Sequence, residues 1–294
     1  MLPSRTAGRG RAEFYGHWND GPAGLRTDVS YLLKGENLST HYEASGSGPA
    51  IVFTHSFLCD GALFSHQVAA LERTHRVINI DLRGHGRSGP SDSPFDIYDL
   101  VDDVIAVLDA EGVESAIWMG LSIGGFLSLR AALTRPERVR ALVLMDSDAG
   151  PESAWKKVKY TMMKWGLRTV GPRFIVPAVM PIMFGETTLQ SRPELREQYF
   201  RRFLQLRVRS ISHGIDAITG RDDLLGRLKE IGCPTLVVVG EEDRALPVWK
   251  SRRLAAGIRD AELVLIPAAG HLSAVEQPDA VTGAIARFLA RLPS

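Results

Sequence analysis

The sequence predicts an α/β fold: a doubly wound, mostly parallel sheet with a helical cap inserted between two sheet strands. Three observations predict it. Short apolar runs recur along the chain, namely AIVFTH, RVINID, SAIWMGLS, RALVLMD, PTLVVVG and AELVLIP, and runs apolar on both faces suit parallel strands covered by helices. Segments with a 3.6-residue apolar period separate these runs, as the crossovers of a parallel sheet require. The alternation then stops across 150–226, where no strand-like run occurs.

In chain order, residues 1–28 are rich in Gly, Pro and Arg and lack periodicity. They read as a loosely ordered extension, with no apolar stretch that could serve as a signal-peptide core. Residues 29–149 read as the first part of the sheet core. It opens with VSYLLKGENLSTHYEASG, which alternates on both sides of Gly35-Glu36-Asn37 and predicts a hairpin. In FDIYDLVDDVIAVLDAEG the residues Ile97, Val101, Val104, Ile105 and Leu108 share one helical face, and Gly112 falls where a C-terminal cap belongs. Residues 150–226 read as the cap. There SRPE supplies Ser191 as N-cap, Pro193 in the first turn and Glu194 closing a capping box. Phe200, Phe203, Leu204, Val208 and Ile211 follow on one stripe, with Arg201, Arg202 and Arg209 off it as a solvated face. Residues 227–294 read as the second part of the core and end in a helical pattern over 272–292.

Composition bounds the function. The 294 residues are 45% apolar and 23% charged, enough for a sizeable core without disulfides. With 35 Lys+Arg against 34 Asp+Glu the net charge is +1, so the excess of basic residues that phosphate-backbone binding needs is absent. No nucleic-acid partner is expected. Cys59 and Cys233 are too few for a disulfide framework or a Cys-rich zinc site and read as small buried thiols. No run of about 18 apolar residues occurs, so no membrane partner is expected and the expected setting is cytoplasmic.

The chemistry concentrates where AIWMG runs into Leu121-Ser122-Ile123-Gly124-Gly125 ahead of the helical FLSLRAALTRPE. This is GxSxG in a strand, turn, helix context. A serine held on so sharp a turn leaves no room for Cβ atoms two residues to either side, which calls for Gly120 and Gly124. Ile123 begins the helix, so its N–H is an unpaired donor aimed where a substrate oxygen would become negative. A serine nucleophile needs a base, and the base needs an acid to orient it. Asp243 lies just past the strand PTLVVVG and His271 just past AELVLIP, at the carboxyl ends where such sheets place their ligands. The plain alternatives are a turn residue for Asp243 and a helix cap for His271. Asp146 and Asp148, after RALVLMD, are rival acids.

A second oxyanion donor is expected from the loop His55-Ser56-Phe57-Leu58, with Phe57 N–H as the candidate. The loop DLRGHGRS at 81–88 reads as a tight turn, or as a contact with the site rim. His17, His41, His66 and His75 stand in polar or helical surroundings and read as solvated. His213 belongs to the cap and reads at most as a substrate contact.

Taken together, HSFL, DLRGHGRS, GLSIGG, GEEDRALP and AAGHLSAVEQP, in this order over about 29–292, resemble the α/β-hydrolase superfamily. The resemblance implies the α/β-hydrolase fold. Ser122 speaks against the haloalkane-dehalogenase and epoxide-hydrolase branches, whose nucleophile is Asp. GLSIGG combined with Ser56, where most members carry Gly, is similar to the branch of serine esterases and 3-oxoadipate enol-lactonases.

The expected activity is therefore hydrolysis of small to medium carboxylic esters through an acyl-enzyme on Ser122, with no metal or organic cofactor and a small-molecule ester or lactone as partner. Lactone hydrolysis, carbon–carbon cleavage and perhydrolysis could use the same triad, a silent binding module could keep the pocket without the chemistry, and a membrane-associated lipase would need an exposed amphipathic lid. His55, Trp155, Met162, Trp165, Met183, Phe184, Leu246 and Leu272 are the expected pocket residues; Met163 and Met180 offer further apolar surface. An anionic lactone would need one of Arg202, Arg207 or Arg209 to face inward.

Overall fold

The computed structural model describes the main chain of Ala12–Glu13 and Val29–Lys34 and, with side chains, residues 39–293. The strands are β1 (Ala12–Glu13), β2 (Val29–Lys34), β3 (Ser39–Ser45), β4 (Ala50–Thr54), β5 (Arg76–Ile80), β6 (Ala116–Leu121), β7 (Val139–Met145), β8 (Thr235–Gly240) and β9 (Glu262–Ile266). They form one sheet in the order β1-β2-β3-β5-β4-β6-β7-β8-β9. From β1 through β3 to β5 the pairing is antiparallel, and from β5 to β9 it is parallel throughout. Every apolar run read as a strand is one. Their unbroken apolarity follows from position: all residues of β6 and β8 are buried, and each such Val, Ile or Leu contributes about 1.5–3 kcal/mol relative to staying exposed. The predicted hairpin pairs as β2 and β3, while its turn, Gly35-Glu36-Asn37, lies outside the described residues, as do His17 and all of 1–28 except β1.

Among the helices, α1 (Ser65–Leu71) precedes α2 (Ile97–Ala110). The start of α2 is fixed by a capping box: the Asp96 carboxylate accepts from Tyr98 and Asp99 N–H, and Asp99 accepts from Asp96 N–H. It ends before Gly112, which takes φ 66. Helix α3 (Ile123–Thr134) lies against β6, β7 and α2 and is buried along its first ten residues, so it is enclosed on every side.

Five helices fill the interval between β7 and β8: α4 (Ala154–Thr169), α5 (Pro172–Met183), α6 (Glu186–Ser191), α7 (Pro193–Leu204) and α8 (Val208–Gly220). Two readings need correction here. Ser191 is not an N-cap; it ends α6, its hydroxyl donates to Thr187 C=O at 2.7 Å, and Arg192 precedes Pro193 at the start of α7. The stripe from Phe200 to Ile211 is two helices rather than one, because Gln205, Leu206 and Arg207 break it, yet Phe203 and Ile211 both reach the core. Arg221, just past α8, donates to Gly150 C=O at 3.0 Å and Ile218 C=O at 2.8 Å, and stacks 4.4 Å from the Phe126 ring centroid. That side chain ties the end of α8 to α3. After β8 come α9 (Val248–Gly257), α10 (Ser273–Glu276) and α11 (Pro278–Leu289). The pattern over 272–292 is thus split, since Pro278 offers no N–H to a preceding turn.

Candidate active site

Ser122 occupies the turn between β6 and α3 with φ 56 and ψ −111, a conformation that L residues rarely hold. The crowding that called for glycine is measurable. A Cβ on Gly120 would lie 2.1 Å from Gly124 C=O, and one on Gly124 would lie 2.0 Å from Thr54 C=O. The main chain of Ser122 is fully engaged: its N–H donates to Met145 C=O at 2.9 Å, and its C=O accepts from Phe126 N–H at 3.0 Å and Ser147 Oγ at 3.1 Å. The strained turn is over-determined, and its hydroxyl is left for other work.

At the ends of β8 and β9 the structure brings Asp243 and His271 together, with His271 Nδ1 2.9 Å from Asp243 Oδ2. The other carboxylate oxygen of Asp243 accepts from Leu246 N–H at 2.8 Å. Nδ1 therefore carries the proton, and Nε2 is left as the basic atom. Burial pushes the His271 pKa down, but the Asp243 carboxylate, with Asp146 and Glu276 beyond it, outweighs burial and raises it overall. Among the described residues no hydrogen bond joins Ser122 Oγ to His271 Nε2, and unliganded sites often form this bond only with substrate in place.

The rival acids are committed elsewhere. Asp146 accepts from Gly240 N–H at 2.8 Å and from Ser273 Oγ at 2.5 Å. Full burial and the Asp243 charge push its carboxyl well above the usual range. Asp148 pairs with Lys250 at 2.6 Å and Arg253 at 2.9 Å. A residue that the sequence reading missed is Glu276. Its Oε1 accepts from Gly270 N–H at 2.9 Å and Leu272 N–H at 3.1 Å, and its Oε2 accepts from Gly185 N–H at 2.8 Å. It pins the main chain on both sides of His271 and joins that loop to the end of α5. The only signal was a lone acid in the apolar run HLSAVEQP.

The loop after β4 turns tightly, with Cys59 N–H donating to Ser56 C=O at 3.1 Å and Leu58 at φ 67. Phe57 N–H and Ile123 N–H make no hydrogen bond among the described residues. The Phe57 ring packs on α8, so closely that a Cβ on Gly214 would lie 2.6 Å from it, and meets the His85 ring edge-on at 5.6 Å. His55 is no pocket residue of the expected kind. Its Nδ1 donates to Ser56 C=O at 2.8 Å and its Nε2 accepts from Leu82 N–H at 2.9 Å, so it is a neutral strut between two loops. Burial lowers its pKa, and burial lowers that of His85 to about 3.

The 81–88 loop is held by Asp81, which accepts from Gly61 N–H at 2.7 Å and Arg87 N–H at 2.8 Å. His41, read as solvated, is instead buried beneath this loop with Nδ1 3.1 Å from Asp81 Oδ2. Its polar partners come from the 81–88 loop, Asp81 and the Ser88 hydroxyl, rather than from its neighbours in sequence. His66 is half exposed, 3.0 Å from Asp279.

Three expected pocket residues are displaced. Trp155, Met162 and Trp165 stand 67%, 68% and 70% exposed on α4, because the turns facing the core present Tyr160, Met163, Gly166 and Leu167 instead. Met183, Phe184, Leu246 and Leu272 are buried. The main chain at Phe184–Gly185 approaches Gly270, where a Cβ would lie 2.1 Å from Gly185 N. Arg202 and Arg207 line a cavity of about 420 Å³ with Leu58, Cys59, Gly84 and His85. Both are partly engaged, Arg202 with Asp60 at 3.5 Å and Arg207 with Ser88 C=O. Arg209 is exposed beside Asp92.

Comparison with known proteins agrees with this architecture. The model of the alpha/beta hydrolase fold family matches residues 49–278. An "AB hydrolase superfamily protein" of Bacillus subtilis is 30% identical over 269 residues, covering 88% of this chain and 98% of its own. The 3-oxoadipate enol-lactonase 2 of Acinetobacter baylyi is 27% identical over 267 residues, covering 88% of this chain and 96% of its own. Among solved structures, a thermophilic esterase from Thermogutta terrifontis superposes with a TM-score of 0.84 at 29% identity, covering 87% of this chain and 95% of that one. With a serine on a strained strand-to-helix turn and a His–Asp pair past two later strands of the same sheet, the chain belongs to the α/β-hydrolase family.

Proposed function

We propose that this protein is a serine hydrolase of small to medium carboxylic esters. The observation that carries the reading is the pairing of His271 Nδ1 with Asp243 at 2.9 Å, which leaves Nε2 basic, in a sheet whose β6-to-α3 turn holds Ser122 strained. In the proposed cycle His271 Nε2 takes the Ser122 proton as Oγ attacks the ester carbonyl. The N–H groups of Phe57 and Ile123, without other partners among the described residues, hold the oxyanion. Protonated His271, steadied by Asp243, passes its proton to the departing alcohol. It then takes one from the water that attacks the acyl-enzyme, and collapse of that second adduct returns the proton to Ser122 Oγ.

The five helices between β7 and β8 act as the cap in this reading, with Met183 and Phe184 from that interval and Leu246 and Leu272 from the loops after β8 and β9 as the proposed apolar walls of the pocket. A lactone is the second reading. Resemblance to an enol-lactonase favours it, and so do two arginines lining a cavity beside the 57–59 turn.

The test is turnover of p-nitrophenyl acetate and butyrate by the wild type and by Ser122→Ala, run beside a panel of neutral and anionic lactones. The wild type hydrolyses the esters, and Ser122→Ala loses at least about 10⁴-fold in kcat. Wild-type-like turnover by the variant contradicts the assignment, and anionic lactones outpacing every ester favours the second reading.

A further inference from the structure

Helix α4 is amphipathic, and its more apolar stripe faces solvent. At about 100° per residue, Trp165, Val158, Met162 and Trp155 fall in one arc of about 80°, opposite the face formed by Tyr160, Met163 and Leu167 that packs inward. Their exposures run from 49% for Val158 to 70% for Trp165. The next helix, α5, adds Phe174 at 71% and Ile182 at 47%. The two helices pack where Gly166 meets Ile175. Exposed apolar surface of this extent marks an interaction site.

Charge identifies the partner. Residues 153–185 contain six Lys and Arg and no Asp or Glu. Lys156 is taken up by Ala245 C=O and Lys164 by Asp216. Lys157, Lys159, Arg168 and Arg173 are exposed and have no acidic partner among the described residues. On α4, Lys159 borders the stripe on one side, 5.4 Å from the Trp155 ring centroid, and Lys157 and Arg168 border it on the other. Aromatic and aliphatic side chains flanked by cations on both sides fit a helix lying in the headgroup region of an anionic bilayer. A second copy of the same face would instead oppose like charges with no acid in the segment to offset them.

We infer that the α4–α5 face seats this protein on anionic lipid surfaces, with α4 lying in the interface. No helix among the described residues is long and apolar enough to cross a bilayer, and interfacial docking needs none. The expectation of no membrane partner rested on the absence of a spanning run, which does not bear on interfacial docking. The geometry also links the surface to the site: Lys156 Nζ donates at 2.6 Å to Ala245 C=O, between Asp243 and Leu246 on the acid loop. Delivery of lipophilic esters from the bilayer rests on the esterase reading. The docking itself does not.

The test is sedimentation of the full chain with vesicles of phosphatidylcholine alone or mixed equally with phosphatidylglycerol, at low salt and in half-molar sodium chloride. The protein pellets with the mixed vesicles at low salt and binds at least about tenfold more weakly without anionic lipid or in high salt. The double variants Trp155→Ser/Trp165→Ser and Lys157→Glu/Arg168→Glu each lose about tenfold in binding while keeping wild-type hydrolysis of a dissolved ester. The inference fails if the protein ignores anionic vesicles, binds both compositions equally, or keeps its binding in both variants. It also fails if light scattering shows a dimer that Trp155→Ser/Trp165→Ser dissolves. Binding is read without turnover, so a silent enzyme that pellets refutes only the catalytic reading, and an active one that does not pellet refutes only this one.

Discussion

The imidazole of His271 lies between opposing influences: burial disfavours its charged form, while Asp243 in contact and Asp146 and Glu276 farther off favour it. The balance is upward from the ordinary 6.5. A general base must be neutral, so hydrolysis is lost as pH falls through the raised value, and the acid limb of the kcat/KM profile lies above 6.5. Asp243→Asn removes the largest raising influence, and its amide favours the unproductive tautomer. The profile's acid limb then moves to lower pH while kcat falls about 10⁴-fold. A pH–rate profile of this variant with an unmoved limb, or with near-normal kcat, contradicts the role given to Asp243. Asp243 and His271 were legible in the sequence because each ends an apolar strand. Glu276 was not, because its work is done on three main-chain N–H groups, one of them 91 residues away at Gly185.

The strand-to-helix turn at Ser122 works as a unit. Gly124→Ala would drive a methyl group to 2.0 Å from the Thr54 carbonyl at the end of β4, which neither main chain can relieve without parting α3 from β4. The expected loss is about 3 kcal/mol of folding stability, read from urea unfolding, together with loss of ester turnover. A stable, active variant would mean the turn is looser than described. Elements of this kind were readable because a local rule, apolar strand then glycine-flanked serine then helix, leaves one solution. The helices between β7 and β8 were readable only in part. Apolar period alone could not say which side of α4 meets the core, since Trp155 and Trp165 compete with Tyr160, Met163 and Leu167, and the packing partner decides. Nor could it locate the break at 205–207, where one stripe continues across two helices.

Across the molecule, stability in acid depends on Asp81, which joins β3 through His41, the turn at Gly61 and the loop at Arg87. Burial pushes its carboxyl up, but these donors and the nearby His55 hold it well below the usual carboxylate range. A folded-state pKa below the unfolded one adds stability above about pH 4, and that stability is lost as pH falls below it. Asp81→Asn therefore costs about 2 kcal/mol at neutral pH and shows a shallower decline of urea midpoint between neutral and acid pH than the wild type. Parallel declines would remove Asp81 from the acid response. The sheet and the five-helix interval together define the whole: Ser122 comes before the interval, and Asp243 and His271 come after it. The most direct test of that assembly as a serine hydrolase is covalent labelling with a fluorophosphonate, followed by intact mass and peptide mapping. One adduct per chain on Ser122, absent from Ser122→Ala and much slowed in His271→Ala, is the predicted result; no adduct, or one mapped to another residue, would contradict it.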